Sequence, residues 1–342
     1  MPGRYRSPNY RLGGASQYGR DMISPAPVAV VPPLGLLPLA RTAVDRGSDR
    51  RVAADLFEQI RANPATRVMY LAGGKTLISD TEVVLGPVPE AGFGEVPVYL
   101  GRTLADAQEP AGTDVVLITL AQEDPELEND GARWASLREV AVALGELDAA
   151  LFVEAAAISN WHAAHTHCPR CGAGTVPEQG GWVRRCPQDN SQHFPRTDPA
   201  IIVAITDPQD RILLGSAAAW KGNRYSTLAG FVEPGESLEA AVIREIAEES
   251  GLTVHSPQYL GSQPWPFPCS LMLGFTARTE EAEAAIADGV EISDVRWFTR
   301  EELGTAVASG EITIATGISI ARNLIEHWYG GPIKEPEIEA RP

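Results

Sequence analysis

The chain has 342 residues, 44% hydrophobic and 21% charged, with 45 acidic against 28 basic side chains, a net charge of -17 and an isoelectric point near 4.8. This is the composition of a folded globular protein with room for two cores, and no uninterrupted apolar run reaches the length of a bilayer. The acidic excess opposes sequence-independent attachment to nucleic acid or anionic lipid, so a phosphate-bearing ligand needs local cations.

Residues 1–27 contain Arg but no apolar stretch after it, and read as a flexible leader rather than a secretory signal. An N-terminal mixed α/β domain is expected over 28–165. Its clearest strands are TRVMYLAGGKTLIS, EVPVYLG and TDVVLITLA, and Gly73-Gly74 marks a hairpin in the first of them. From Ala132 to about Ala164 the pattern turns helical, with Leu137, Val140, Leu144, Leu147 and Leu151 at three- and four-residue steps.

A short ribbon-like segment is expected over 166–196. Cys168-Pro-Arg-Cys171 spaces two thiolates as a zinc knuckle does, and Cys186 follows after a suitable spacer. Where a fourth cysteine would complete the ribbon stands Asp189, favoured here as the last Zn2+ ligand on its spacing, with His193 as the rival and His167 nearby. Clustered cysteines of this kind indicate metal ligands in a reducing, cytoplasmic setting more than a disulfide framework.

A second domain spans 197–330, and 331–342 reads as a flexible tail. PAIIVAITD and RILLGSA are its first strands, and YSTLAGF leads into GFVEPGESLEAAVIREIAEESGL, from Gly230 to Leu252. Ser237 is a plausible N-cap and Gly251 a stop, so Ser237 to Glu249 should form a helix that stacks Glu245 above Glu249 with Glu248 beside them. Carboxylates at that spacing repel, and a hard divalent cation, Mg2+ or Mn2+, removes the conflict while leaving positions open for water and phosphate. Three glutamates alone would read as a solvated acidic face; Gly230, Glu236, Arg244, Gly251 and Leu252, all in register with them, favour a metal site.

This pattern resembles the Nudix hydrolases, which implies an α/β/α sandwich and attack of a metal-activated water on a pyrophosphate. Downstream, three prolines alternate with Trp265 and Phe267 in Gln263-Pro264-Trp265-Pro266-Phe267-Pro268-Cys269-Ser270, a stiff extended loop able to hold a flat ring. This run is similar to the signature of the NADH pyrophosphatase branch, and the resemblance extends from about Ser136 to Glu326, ribbon included. The branch implies hydrolysis of NAD(H) to AMP and nicotinamide mononucleotide, removal of NAD caps from RNA, and a homodimer whose sites use both chains. By the same resemblance Glu245, Glu249, Glu291 and the Ala229 carbonyl are metal ligands, and Glu248 is either a second-metal ligand or the general base. Phe231 and Phe194 would sandwich the nicotinamide ring, while Gln263 to Ser270 and Ala321 would line the nucleotide pocket. Arg138 is either a substrate-binding Arg or an ordinary helix-surface one, and Arg244 pairs with a motif glutamate. Alternatives are a Nudix enzyme for ADP-ribose or a diadenosine polyphosphate, and a nucleotide-sensing or nucleic-acid-binding regulator. Complete motif glutamates and the acidic charge count against the regulator. His162, His165, His255 and His327 read as structural or exposed.

Overall fold

The computed structural model describes residues 33–94, 96–128 and 131–336, so the expected leader lies outside the described residues, as does the tail beyond 336. The N-terminal part is built on a sheet in which Val44–Asp45, Val98–Thr103, Asp114–Leu120, Arg67–Ala72, Lys75–Ser79 and Glu82–Val83 lie side by side in that order. Gly73 and Gly74 have φ of 56° and 79°, the double positive pair that a two-residue hairpin turn requires, and they set Ala72 opposite Lys75. The helix Glu146–Ala164 covers the sheet through a core of Leu71, Leu100, Leu117, Leu151, Phe152 and Ala155.

Two expectations for this region need correction. The stretch from Ala132 is not helical from its start: Arg133–Ser136 is a strand paired with Lys75–Ile78, and a short helix, Leu137–Val140, follows. Ser136 has extended φ/ψ and, with Glu139, forms a capping box, so the helix cannot begin before it. The helix Leu56–Ala62 was not foreseen, its seven residues being too few to show a helical period clearly.

The cysteine segment folds as a small antiparallel sheet of Val176–Glu178, Val183–Arg185 and Gln192–His193. Arg184 ties it to the long helix by donating to His162 Nδ1 at 2.9 Å, while Nε2 of that histidine lies 2.8 Å from the Gly181 carbonyl. His162 is therefore structural, and its burial lowers its pKa to about 4.

The last part is a sandwich. Its sheet runs His255–Trp265, Ser270–Arg278, Asp198–Thr206, Ile212–Ala217, Ile292–Phe298, and Leu228–Phe231 pairs with Asp198–Thr206 over part of its length. Strand alternation sends Ile201 and Val203 to one face and Ile202 and Ala204 to the other. On the first face the helix Leu238–Ser250 buries Ala241, Val242 and Ile246; on the second, Arg300–Ala308 and Ile320–Tyr329 bury Leu303, Leu324 and Ile325. The α/β/α layering expected from the motif is the layering found.

Two further corrections belong here. The proline-aromatic run is not an extended loop but the end of a hairpin, with Trp265 opposite Ser270 and the turn between them. The described start of the tail is packed: Ile333 is buried, its N–H donates to Glu326 at 3.0 Å, and Arg322 bridges Glu326 and Glu335. The amphipathic helix Ile320–Tyr329 left an apolar groove that one following isoleucine fills. Among the described residues, no helix is long and apolar enough to cross a membrane.

Candidate active site and metal centre

The helix Leu238–Ser250 begins where Ser237 Oγ accepts the Ala240 N–H at 3.2 Å and ends at Gly251, which takes the left-handed conformation at φ 68°. Arg244 is its organiser. The guanidinium grips both Glu236 oxygens at 2.8 Å, donates to the Phe231 carbonyl at 2.9 Å, and reaches Glu245 at 2.8 Å and Glu248 at 3.0 Å. These contacts hold the Glu236 carboxyl down at about 2, first through the Arg244 hydrogen bonds, and they pin the loop before the helix to the helix itself. Arg244 thus pairs with motif glutamates, as the sequence indicated.

Gly230 has a steric role that spacing could not reveal. A Cβ placed on it would lie 1.9 Å from the Glu245 carboxyl carbon, so only glycine lets that carboxylate rest against the strand Leu228–Phe231. One turn further, Glu249 is 6% exposed and takes a backbone hydrogen bond from Ala229, but its Oε2 is buried with no partner. Burial, then the charges of Glu245 and Glu291, raise the Glu249 carboxyl to about 8, and burial raises Glu245 in the same direction. Glu291 is exposed, on a turn whose N–H groups are held by the Asp288 carboxylate. Glu248 is mostly exposed and paired with Arg244.

Glu249, Glu291 and Ala229 share a cavity of about 350 Å³, also lined by Trp265 and Ala321. Its lining also includes the apolar Ile202, Met272, Ile320 and Ala321, the partly exposed Trp220 and the exposed Arg224. A larger cavity of about 570 Å³ lies between residues 51–57 and 177–181, but it has a single carboxylate and no acidic cluster, so size does not locate the chemistry. The unpartnered Glu249 oxygen, beside the carboxylates of Glu245 and Glu291 whose charges help to raise its pKa, belongs to a donor set that a hard divalent cation satisfies.

The other expected residues divide. Arg138 stacks over Phe267 at 3.7 Å and lies 5.0 Å from the Trp265 ring centre, with no carboxylate partner among the described residues. Gln263 is fully buried and does not line the cavity: its Oε1 accepts the Leu39 N–H at 3.3 Å and its Nε2 donates to the Ile318 carbonyl at 3.0 Å. Its expected place in the pocket is corrected, because the amide is used up tying strand to flanking segments. Pro264, Pro266, Cys269 and Ser270 line a second cavity of about 280 Å³, which Trp265 also borders. Phe267 packs against the N-terminal core, Asn160 holds the Pro266 and Pro268 carbonyls at 3.0 Å each, and the Cys269 thiol, 3.4 Å from Asp198, is raised by burial. Of that run, then, Trp265 alone faces the acidic cavity. Phe194 and Phe231 are 62% and 58% exposed, and neither lines the cavity. The sequence reading missed Trp220, Arg224, Thr227, Met272 and Ser319, whose only signal was position just before the motif or on facing elements.

In the ribbon, Cys168, Cys171, Cys186 and Asp189 bring ligand atoms within 4.8 Å of one another, and among the described residues this is the one such cluster. Two equivalent turns build it: the Gly172 N–H donates to the Cys168 carbonyl at 2.8 Å, and the Asn190 N–H to the Cys186 carbonyl at 3.0 Å. His193 is outside the cluster and bonds Ser191, which also donates to Asp189. Three sulfurs and one carboxylate fit a tetrahedral zinc ion.

The comparisons follow this geometry segment by segment. The family model of the NUDIX domain matches residues 196–315, that of the NADH pyrophosphatase zinc ribbon domain residues 163–194, and that of the NADH pyrophosphatase-like rudimentary NUDIX domain residues 65–161. The chain is 38% identical to the NAD-capped RNA hydrolase NudC of Mycobacterium tuberculosis (strain H37Rv), over 79% of this chain and 85% of that one. This chain belongs to the NADH pyrophosphatase family of Nudix hydrolases. A more distant family member, the NAD-capped RNA hydrolase NUDT12 of Homo sapiens, is 31% identical over 84% of this chain and 72% of its own. Among solved structures, a NUDIX hydrolase from Nitrosomonas europaea aligns with 49% of this chain and 94% of its own at 21% identity, with a TM-score of 0.39.

Proposed function

We propose that the chain hydrolyses the pyrophosphate of NAD(H) to AMP and nicotinamide mononucleotide, and removes NAD caps from RNA 5' ends. The observation that carries this reading is the partnerless, buried Glu249 oxygen at a cavity lined by carboxylates and by apolar side chains. Relatives named for NAD-capped RNA hydrolysis support the choice of substrate. Glu245, Glu249, Glu291 and the Ala229 carbonyl would hold Mg2+ or Mn2+. When bound, the ion supplies a water of lowered pKa and neutralises charge on the phosphoryl oxygens.

The protein's own residues do the rest. Arg244 fixes the motif loop and pairs with Glu248, a candidate base or ligand of a second ion. Trp265 offers a flat wall to a base, and the apolar side at Met272 and Ala321 excludes water from it. Phe194 and Phe231, exposed on one chain, are suited to closing on a nicotinamide ring across a homodimer interface. Cys168, Cys171, Cys186 and Asp189 would hold a structural Zn2+ in a reducing, cytoplasmic protein. The chain would divide into domains over 28–165 and 197–330 joined by a ribbon over 166–196, a reading that the separate sheets support.

Incubation of purified protein with NADH and Mn2+, followed by chromatography of the nucleotides, tests the reading. Release of AMP and nicotinamide mononucleotide supports it. Tight binding of NADH without turnover would favour a nucleotide sensor, and a higher kcat/KM for ADP-ribose than for NADH would move the substrate to another dinucleotide.

A further inference from the structure

We propose that Arg224 and Thr227 form a phosphate-binding subsite in the lining of the acidic cavity, taking a phosphate of the substrate that the carboxylates do not hold. The inference rests on the pyrophosphate-hydrolase reading and adds to it two residues outside the motif and the proline-aromatic run.

Both side chains line the cavity of Glu249 and Glu291, and neither has a hydrogen-bond or ion-pair partner among the described residues. Thr227 is 6% exposed and its Oγ1 is buried without a hydrogen bond, although buried hydroxyls are ordinarily satisfied. Arg224 has no carboxylate within 4.0 Å among the described residues, in a chain with 45 acidic side chains from which to draw one. Its guanidinium lies 4.6 Å from the Trp220 ring centre, a stack that leaves the in-plane N–H donors free. The backbone beneath is fixed, since Arg224–Tyr225 pairs with Thr313–Ile314 and the Thr313 N–H donates to the Asn223 carbonyl at 3.0 Å.

A second cation sharpens the case. Burial and then the charge of Arg224 lower the pKa of Arg138, which lies over Trp265 of the cavity lining, so two guanidiniums without carboxylate partners repel each other there. Their mutual repulsion is relieved by an anion between or beside them. A pyrophosphate diester has two anionic phosphates. One can be neutralised from the Glu249 and Glu291 wall through its cation, and Arg224 with the Thr227 hydroxyl meets the other.

The test is calorimetric binding of AMP and of adenosine to the full chain without added divalent cation, because their difference isolates the phosphate. Wild type should prefer AMP. Arg224→Ala should cost about 10-fold in AMP affinity, Arg224→Lys should restore part of it, and Thr227→Val should cost about 3-fold, with adenosine affinity unchanged in all three. In turnover assays with NADH and Mn2+, Arg224→Ala should raise KM at least as much as it lowers kcat. An AMP-to-adenosine ratio unchanged in both Arg224→Ala and Thr227→Val, or near one in wild type, overturns the subsite. Failure of the hydrolase reading has a different mark: wild type releases no AMP from NADH.

Discussion

The ribbon and the acidic cavity are both metal-type donor sets, but they are assembled in opposite ways. In the ribbon, two backbone turns bring three sulfurs and a carboxylate within 4.8 Å of one another, and the peptide geometry alone sets the spacing. At the cavity, Glu249 and its neighbour Glu245 come from two turns of a helix and Glu291 from a separate loop; they do not close to that spacing, and burial with their neighbours' charges raises Glu245 and Glu249. The contrast separates a centre organised for stability from one organised for exchange. A closed tetrahedron leaves no position for substrate, whereas carboxylates held apart on a rigid helix leave room for water and phosphate.

If the ribbon is structural, breaking it should have the largest effect on stability. Cys186→Ser replaces a fully buried thiol in the cluster and should cost on the order of 3–5 kcal/mol, read as a fall in Tm together with loss of bound zinc. Unchanged zinc content and Tm would falsify the assignment. The same substitution logic in the cavity should spare the fold: Glu249→Gln removes a charge but little volume, and should lower kcat for NADH by about 100-fold or more with Tm retained. Near-native turnover in that variant would end the case for Glu249 as a ligand.

The pH dependence sharpens the comparison next. Burial raises Glu249 to about 8, Glu154 to about 7 and Asp148 to about 6, so the folded chain binds these protons more tightly than the unfolded one. Groups raised in this way stabilise the fold below their unfolded pKa, and the contribution is lost as pH rises through the folded values. Without added Mg2+ or Mn2+, stability should therefore fall between about pH 5 and pH 8, by on the order of 3 kcal/mol for Glu249 alone. Glu249→Gln should flatten that slope, and Mg2+ should restore stability at pH 8 in wild type only. A wild-type denaturation profile flat across this range would show that Glu249 is not held protonated.

The smallest expected effect is at the wall the two halves of the molecule share. Trp265→Ala should raise KM for NADH about 10-fold with little change in Tm, since only part of the ring is buried against the N-terminal core. An equal fall in Tm with unchanged KM would make Trp265 a packing residue.

Much of this was legible before the fold. The motif helix, its cap at Ser237, its stop at Gly251 and the pairing of Arg244 with glutamate all depend on residues close in sequence, where spacing translates directly into geometry. The Cys168, Cys171, Cys186 and Asp189 set was legible for the same reason, each pair lying on one turn. Where the reading failed, distant partners decided. Gln263 sits inside a run that as a whole pointed to the pocket, yet it is turned inward to Leu39 and Ile318, partners 224 and 55 residues away. The strand at Arg133–Ser136 reads as helix until Lys75–Ile78 offers it a ladder.

By itself, then, the sequence determined the chemistry available: a helix carrying stacked acids, a thiolate knuckle with one carboxylate, and rigid aromatics between prolines. Only the tertiary structure decided which of those groups meet. It left the Glu249 oxygen and the Thr227 hydroxyl unpaired in one cavity, and it gave Gly230 its purpose in the 1.9 Å that any side chain there would have had to occupy. The physical reason is that local spacing fixes which face of an element a residue joins, while burial and partnership depend on what long-range packing brings against that face.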